Sequence, residues 1–347
     1  MRLLALPLLA LVALSSTLGA QPSMVPELRA LVVPADEDDD WAVIAELAAA
    51  ANFNTLLVTL RQQREATEYR IPEALLEAAE RWGLEVQCQL QRLVSGDPGE
   101  DVWLAQAHIR GMRQIARDHP LAGLVIDASR DVPREAVADL AVEAPELPLL
   151  GITTFWENDP REGLRADGEA LTWTDLGLID QLIARHSGGD AGAVAEAALL
   201  QSPPHFAVAS VVRWRTADDA LSQIEAIRRY PCTGIVVQDI RWMATEDFRT
   251  LRDGPFATPA FPPSRDWIAA TRIAVEQAAA SEDVPEVLAE GLDTFIRALR
   301  RGTPSELQIH RVLDHLISVG DSETLTNRHL EFALMCLRHH QADQLAH

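Results

Sequence analysis

The chain has 347 residues, a mass of 38.1 kDa and 48% hydrophobic residues, enough to bury one large core and a smaller appendage. Acidic residues outnumber basic ones 52 to 30, a formal charge of −22, and so negative a surface repels nucleic acid and anionic lipid. All 30 basic residues are arginine, which removes Schiff-base lysine chemistry and the phosphate-loop lysine together.

Residues 1–20 have the layout of a secretory signal peptide: Arg2, an apolar run from Leu3 to Leu14, then small residues to Ala20. Cleavage is expected after Gly19 or Ala20. A span needs about 20 apolar residues, so the run points to export into the periplasm or outside the cell, without stable membrane insertion. The cysteines are Cys88, Cys232 and Cys336, an odd number with no CxxC spacing. They are expected to be buried as small apolar side chains, with neither a disulfide framework nor a metal site.

Strand-like and helix-like patterns then alternate. Strands are expected at Leu28 to Val33, Thr55 to Leu60, Leu84 to Leu90, Leu121 to Asp127 and Leu149 to Phe155, with a poorly formed sixth around Leu178 to Leu182. Phe206 to Val212 and Gly234 to Asp239 complete eight. Between them lie amphipathic helices, among them Pro72 to Trp82 closed by Gly83, and one introduced by Thr216. Repeated βα units of this kind predict a (β/α)8 TIM-type barrel over residues 24–263. The prolines from Pro259 to Pro263 mark its end, since each lacks an amide donor and restricts its predecessor. Residues 264–347 read as an all-helical C-terminal appendage, packed on the barrel or used for homo-oligomer assembly.

Two runs carry their first charge where a buried strand leaves the sheet: Gly123-Leu124-Val125-Ile126-Asp127-Ala128-Ser129-Arg130 and Gly234-Ile235-Val236-Val237-Gln238-Asp239-Ile240-Arg241. Barrels present chemistry at the carboxyl ends of their strands, so Asp127 and Asp239 are candidate site residues. Several segments resemble the glycosyl-hydrolase-like 10 family of secreted glycoside-hydrolase-like barrels. Asn54 to Arg61 is similar to its second strand, Leu75 to Val86 to its third-strand entry, and Ala122 to Arg130 to its fourth-strand motif. Trp173 to Asp180 is similar to the sixth, and Ala220 to Val237, followed by Gly254-Pro255-Phe256, to the last unit. The resemblance covers Leu28 to Pro263 and implies hydrolysis of a cell-envelope or extracellular polysaccharide, peptidoglycan glycan included.

Glycoside hydrolysis needs two carboxyl groups, about 5 Å apart for retention and about 6.5–9.5 Å for inversion. Asp127 is the leading catalytic candidate, as the acid matched by the family motif, with Glu157 or Asp239 as its partner. Arg130 and Arg241 stand close enough in sequence to neutralise the two aspartates instead. Trp156, Trp214 and Trp242 follow strands five, seven and eight and offer sugar-stacking surfaces or core packing. Arg61 and Tyr69, after strand two, are candidates for a polar ligand. The family's aromatics are replaced here by Ala128 and Ser129, by Cys88 and Gln89, and by Ala184, Arg185 and His186. Their absence keeps a second reading open, an inactive barrel that binds glycan or protein. The late histidines, from His310 to His347, lack metal-ligand spacing, and no dinucleotide, Walker or HExxH motif occurs, so no cofactor or metal is implied.

Overall fold

Apolar runs with no polar alternation can sit only in a sheet covered on both faces, and a closed parallel barrel ringed by helices provides that environment. A computed structural model of the chain has this form. It describes residues 25–35, 40–62, 69–91, 98–128, 132–144, 147–157, 164–186, 190–203, 206–262, 267–281, 284–300, 306–319 and 324–346. The proposed signal peptide, Arg130, Ser129 and Pro263 lie outside the described residues.

The first half of the barrel comprises β1 (Val25–Pro26), β2 (Leu28–Pro34), α1 (Trp41–Ala50), β3 (Thr55–Arg61), α2 (Glu73–Trp82), β4 (Glu85–Gln91), α3 (Pro98–Asp118), β5 (Gly123–Asp127) and α4 (Arg134–Glu143). There follow β6 (Leu149–Glu157), β7 (Leu164–Ala166), α5 (Ala170–Asp175), β8 (Gln181–His186), α6 (Ala191–Gln201), β9 (Val208–Arg213), α7 (Ala217–Ile227), β10 (Gly234–Gln238), α8 (Thr245–Asp253) and β11 (Ala260–Phe261). The appendage is α9 (Trp267–Ala280), α10 (Glu286–Arg300), α11 (Glu306–Val319) and α12 (Leu325–Ala346). Eight parallel strands close in the order β2-β3-β4-β5-β6-β8-β9-β10, with β10 pairing back onto β2, and β7 lies antiparallel on the end of β6.

Side chains alternate along each strand, which divides the core in two. Leu28, Leu57, Val125, Ile152, Ile183 and Val236 fill the barrel interior. Leu31, Leu56, Ile126, Leu182 and Val237 face the surrounding helices. Local signals set several helix ends. Thr216 Oγ1 accepts from the amide of Asp219 at 3.2 Å to start α7, and Gly83 takes a φ of 68° to end α2, a conformation most open to glycine.

The sixth barrel strand begins later than its apolar pattern predicts, at Gln181 rather than near Leu178. Ile179 instead covers Gly151, where an added Cβ would lie 2.7 Å from Ile179 Cδ1, and the Asp180 carboxylate accepts from the amide of Leu149 at 2.7 Å. These residues therefore brace the start of β6 before the new strand forms. Helix α8 carried too weak a pattern to be expected, because Phe248 and Leu251 are its only buried side chains.

The barrel seam depends on one glycine. A Cβ on Gly234 would lie 2.5 Å from the carbonyl oxygen of Leu28, a backbone atom that cannot swing aside. Gly234→Ala is expected to destabilise the fold by about 1–3 kcal/mol through forced separation of β10 from β2, measured as a lower denaturant midpoint. An unchanged midpoint would show that the seam is slack.

The four appendage helices share their own core, including Ala274, Leu292, Leu313, Ala333 and Cys336. They meet the barrel at its strand starts. β1 pairs in parallel with β11, Trp267 lies beside Leu28, Ala122, Pro148 and Thr233 at the barrel floor, and a cavity of about 260 Å³ separates Glu27, Arg29 and Arg228 from Arg328 and Phe332. Among the described residues, the appendage thus packs at the end opposite the strand termini. No described helix is long and apolar enough to cross a membrane.

A candidate site at the barrel mouth

Counting by twos from the interior residues identifies what each strand points into the mouth. Leu57 leads through Thr59 to Arg61, Val125 to Asp127, Ile152 to Thr154, Ile183 to Arg185, Val211 to Arg213 and Val236 to Gln238. β4 contributes Gln89, buried and in register with Thr59, and Gln91, in register with Arg61. The mouth therefore has a polar wall on β3 and β4 and charged positions around its rim.

Register brings specific pairs together. Thr154 and Arg185 are neighbours across β6 and β8, and the guanidinium donates to Thr154 Oγ1 from Nε at 3.1 Å and Nη2 at 2.8 Å. Gln238 and Arg213 are neighbours across β10 and β9. Gln223 on α7 holds the end of β9, accepting from the amide of Arg213 at 3.1 Å and donating to its carbonyl at 3.3 Å. The arginine is thereby fixed by its backbone while its side chain reaches toward the rim. Arg213 Nε lies 4.0 Å from Asp239 Oδ2, both side chains being partly exposed, a separation that yields little net attraction in water.

Asp127 is only 7% exposed and occupies the inner face at the end of β5, in register with Ile152. Asp239 is different: it follows β10, is exposed, and has a φ of 71° where the chain turns into the short 3-10 helix Ile240–Trp242. The arginine at Asp239 is Arg213, which corrects the expected pairing with Arg241; Arg241 is exposed on that 3-10 turn. Glu157 and Trp156 end β6, in register with Leu164 and Arg165 of β7.

Two aromatic candidates are corrected. Trp214 is 1% exposed and packs in the core outside the barrel, so it presents no stacking surface. Tyr69 is 7% exposed; its amide donates to Gln114 at 2.7 Å, and its ring covers Gly111, where an added Cβ would lie 2.7 Å away. It serves to seat α3. Trp242 is 75% exposed beside the mouth and retains a free ring face. Arg61 is exposed on the inner face of β3.

The remaining titratable groups do not build a second centre. His186 packs on the outer face of β8, and its pKa is lowered chiefly by burial, with Arg213 and Arg215 adding to the effect against the opposing influence of Gln223 and Asp219. Burial pushes the thiols of Cys88 and Cys232 up to about 12, leaving both inert as nucleophiles near neutral pH. His310 Nδ1 lies 2.9 Å from Asp314 Oδ2 on the same appendage helix. Among the described residues no three histidine, cysteine or acidic side chains group as metal ligands do.

The structure adds Thr154, Arg185, Arg213, Gln89 and Gln238 to the residues expected at the mouth. Thr154, Arg213 and Gln238 were reachable by extending the two-residue alternation from an interior apolar position to the strand end, whereas β4 has no interior apolar residue to count from and the strand of Arg185 was expected earlier in the chain.

No protein family and no curated protein sequence matches the chain. Among solved structures it is similar to the spore cortex-lytic enzyme SleL of Bacillus megaterium, with 10% identity and a TM-score of 0.50 over 67% of this chain and 75% of that one. SleL of Bacillus cereus gives 12% identity and a TM-score of 0.49 over 70% and 76%. A Schiff-base-forming fructose-1,6-bisphosphate aldolase gives 15% identity and a TM-score of 0.39 over 66% and 94%. The likeness to the Bacillus megaterium structure shows a shared (β/α)8 barrel, here carrying a C-terminal helical appendage.

Proposed function

We propose that the mouth is a glycan site and that the chain is an exported glycoside-hydrolase-like protein acting on a cell-envelope or extracellular polysaccharide. The observation that carries this reading is the placement of Asp127: a mostly buried carboxylate on a rigid strand end, aimed into a polar mouth at the barrel face where such folds hold their chemistry. The fourth-strand resemblance selects the same residue, and the Bacillus barrels are named for lysis of spore cortex. In this reading Asp127 serves as nucleophile or water-activating base, and Glu157 or Asp239 supplies the second carboxyl group. Amides of Gln89 and Gln238 and the hydroxyl of Thr154 are suited to sugar hydroxyls, and Trp242 to a ring face.

A second reading, a barrel that binds glycan without cleaving it, draws on the burial of Trp214 and Tyr69 and on the arginine beside Asp239. One experiment separates the two. Purified mature protein is incubated with peptidoglycan strands and a panel of polysaccharides, and released reducing ends are compared with those from Asp127→Asn. Release that depends on Asp127 supports the hydrolase. Retention of glycan with no release supports the binder, and release unaffected by the substitution would sink the assignment of Asp127.

A further inference from the structure

Among the described residues, the charge carried on the inner face of the strand ends runs against the charge of the chain. The protein as a whole carries −22, yet three of the eight barrel strands place an arginine on the inner face at their carboxyl end, Arg61, Arg185 and Arg213, against the single inward acid Asp127. These arginines are not consumed by the fold. Among the described residues, no carboxylate lies within ion-pairing distance of Arg61 or Arg185. Arg185 is oriented instead by the neutral hydroxyl of Thr154. Arg213 meets Asp239 only at 4.0 Å, with 38% of its own side chain exposed. A structural arginine at a barrel end is ordinarily matched by an acid; among the described residues no acid pairs with Arg61 or Arg185, and Arg213 meets Asp239 only loosely.

We propose that the mouth selects acidic glycans, oligosaccharides whose ring carboxylates are received by Arg61, Arg185 and Arg213. This inference rests on the glycan reading of the mouth and names its substrate class. Guanidinium is the group suited to the task, because its planar fork meets a carboxylate with two parallel hydrogen bonds and cannot lose its charge at neutral pH. Placement on three different strands spreads the cations around the opening, so a chain with repeated carboxylates engages more than one of them. The neutral wall of Gln89, Gln91 and Gln238 is left for hydroxyls. The overall negative charge does not cancel this local field: exposed charges are largely screened beyond about 8–10 Å at physiological ionic strength, whereas contact pairs inside a partly enclosed mouth are screened much less.

The test uses the full chain at physiological ionic strength and two defined probes, oligogalacturonate and a glucuronate-containing oligosaccharide, each beside its methyl ester. Calorimetry reads affinity. At least tenfold tighter binding of the free acids is expected, with Arg61→Gln and Arg185→Gln each losing about tenfold for the acids and markedly less for the esters. Arg185→Gln also removes the contact to Thr154, so Arg61→Gln, which has no such partner, guards against a merely structural loss. Equal binding of acid and ester, or equal loss of both in the variants, overturns the acidic preference. Absence of binding to every probe overturns it as well. If Asp127-dependent release from a neutral polysaccharide persists in either case, the glycan reading stands while the acidic preference falls.

Discussion

Asp127→Asn is expected to lower glycan release by about a hundred- to ten-thousandfold, the range typical for loss of one proton-transferring group, while the protein stays folded. Asparagine preserves the shape of the side chain and one oxygen acceptor, so the strand end of β5 keeps its packing. What it loses is the charge needed to attack an anomeric carbon or to accept a proton from water. Asp127→Glu supplies the complementary measurement. It keeps the carboxylate but displaces it by about one methylene, and misplacement on the order of 1 Å costs about a hundredfold. The expected activity order is therefore wild type, then Asp127→Glu, then Asp127→Asn. Thermal midpoints distinguish this from a structural role. A shift within about 4 °C corresponds to no more than about 1–2 kcal/mol in a domain of this size, whereas a large shift with proportionate activity loss would mean that Asp127 mainly holds the barrel end together.

The same strand end shows how far the sequence reaches. β5 was legible because an unbroken apolar run followed by an acid has few structural solutions, and eight strand-like segments alternating with helices match the size of a (β/α)8 barrel. β8 was less so, since Leu178 and Ile179 extend the apolar pattern into a segment that braces β6 rather than forming strand. That displacement hid Arg185: with the strand centred on Leu178 to Leu182 the arginine falls in a loop, and with the strand at Gln181–His186 it faces the mouth. Trp214, open between stacking and core packing, and Tyr69, expected at a polar ligand, were not decidable for another reason. Residue type marks an aromatic as a stacking candidate, but exposure is decided by partners remote in sequence, and the Tyr69 ring packs over Gly111 while its amide is held by Gln114, 45 residues later. The glycine at the seam belongs to the same class. Its need for a missing side chain arises from Leu28, at the other end of the barrel sequence.

Glu27→Ala is expected to cost about 3–5 kcal/mol, the largest stability loss of any substitution considered, because it strands two arginines at the barrel floor. Arg29 is 1% exposed and donates from Nε to Glu27 Oε2 at 2.6 Å; Arg228 approaches the same carboxylate at 2.8 and 3.0 Å from a position 201 residues away. The two guanidinium groups also stack on Phe256, at 4.5 and 5.7 Å from the ring centre, and Arg29 donates to the carbonyl of Thr258 at 2.7 Å. Without Glu27 these cations face each other with no neutralising charge, and Arg29, only 1% exposed, is left poorly hydrated. The carboxyl pKa carries the same information. Burial pushes it up, but attraction from Arg228 and Arg29 outweighs burial and holds it below the ordinary 4.5. A folded-state value depressed in this way means that the stabilisation is complete above about pH 4.5 and fades as pH falls through the lower folded-state value. Denaturation midpoints measured from pH 7 to pH 3 should accordingly fall less steeply in Glu27→Gln than in the wild type, since the amide cannot gain a proton over that range. Parallel profiles for the two proteins would show that Glu27 does not link folding to pH, and a loss below about 1 kcal/mol in Glu27→Ala would mean that solvent reaches the arginines through the adjoining cavity.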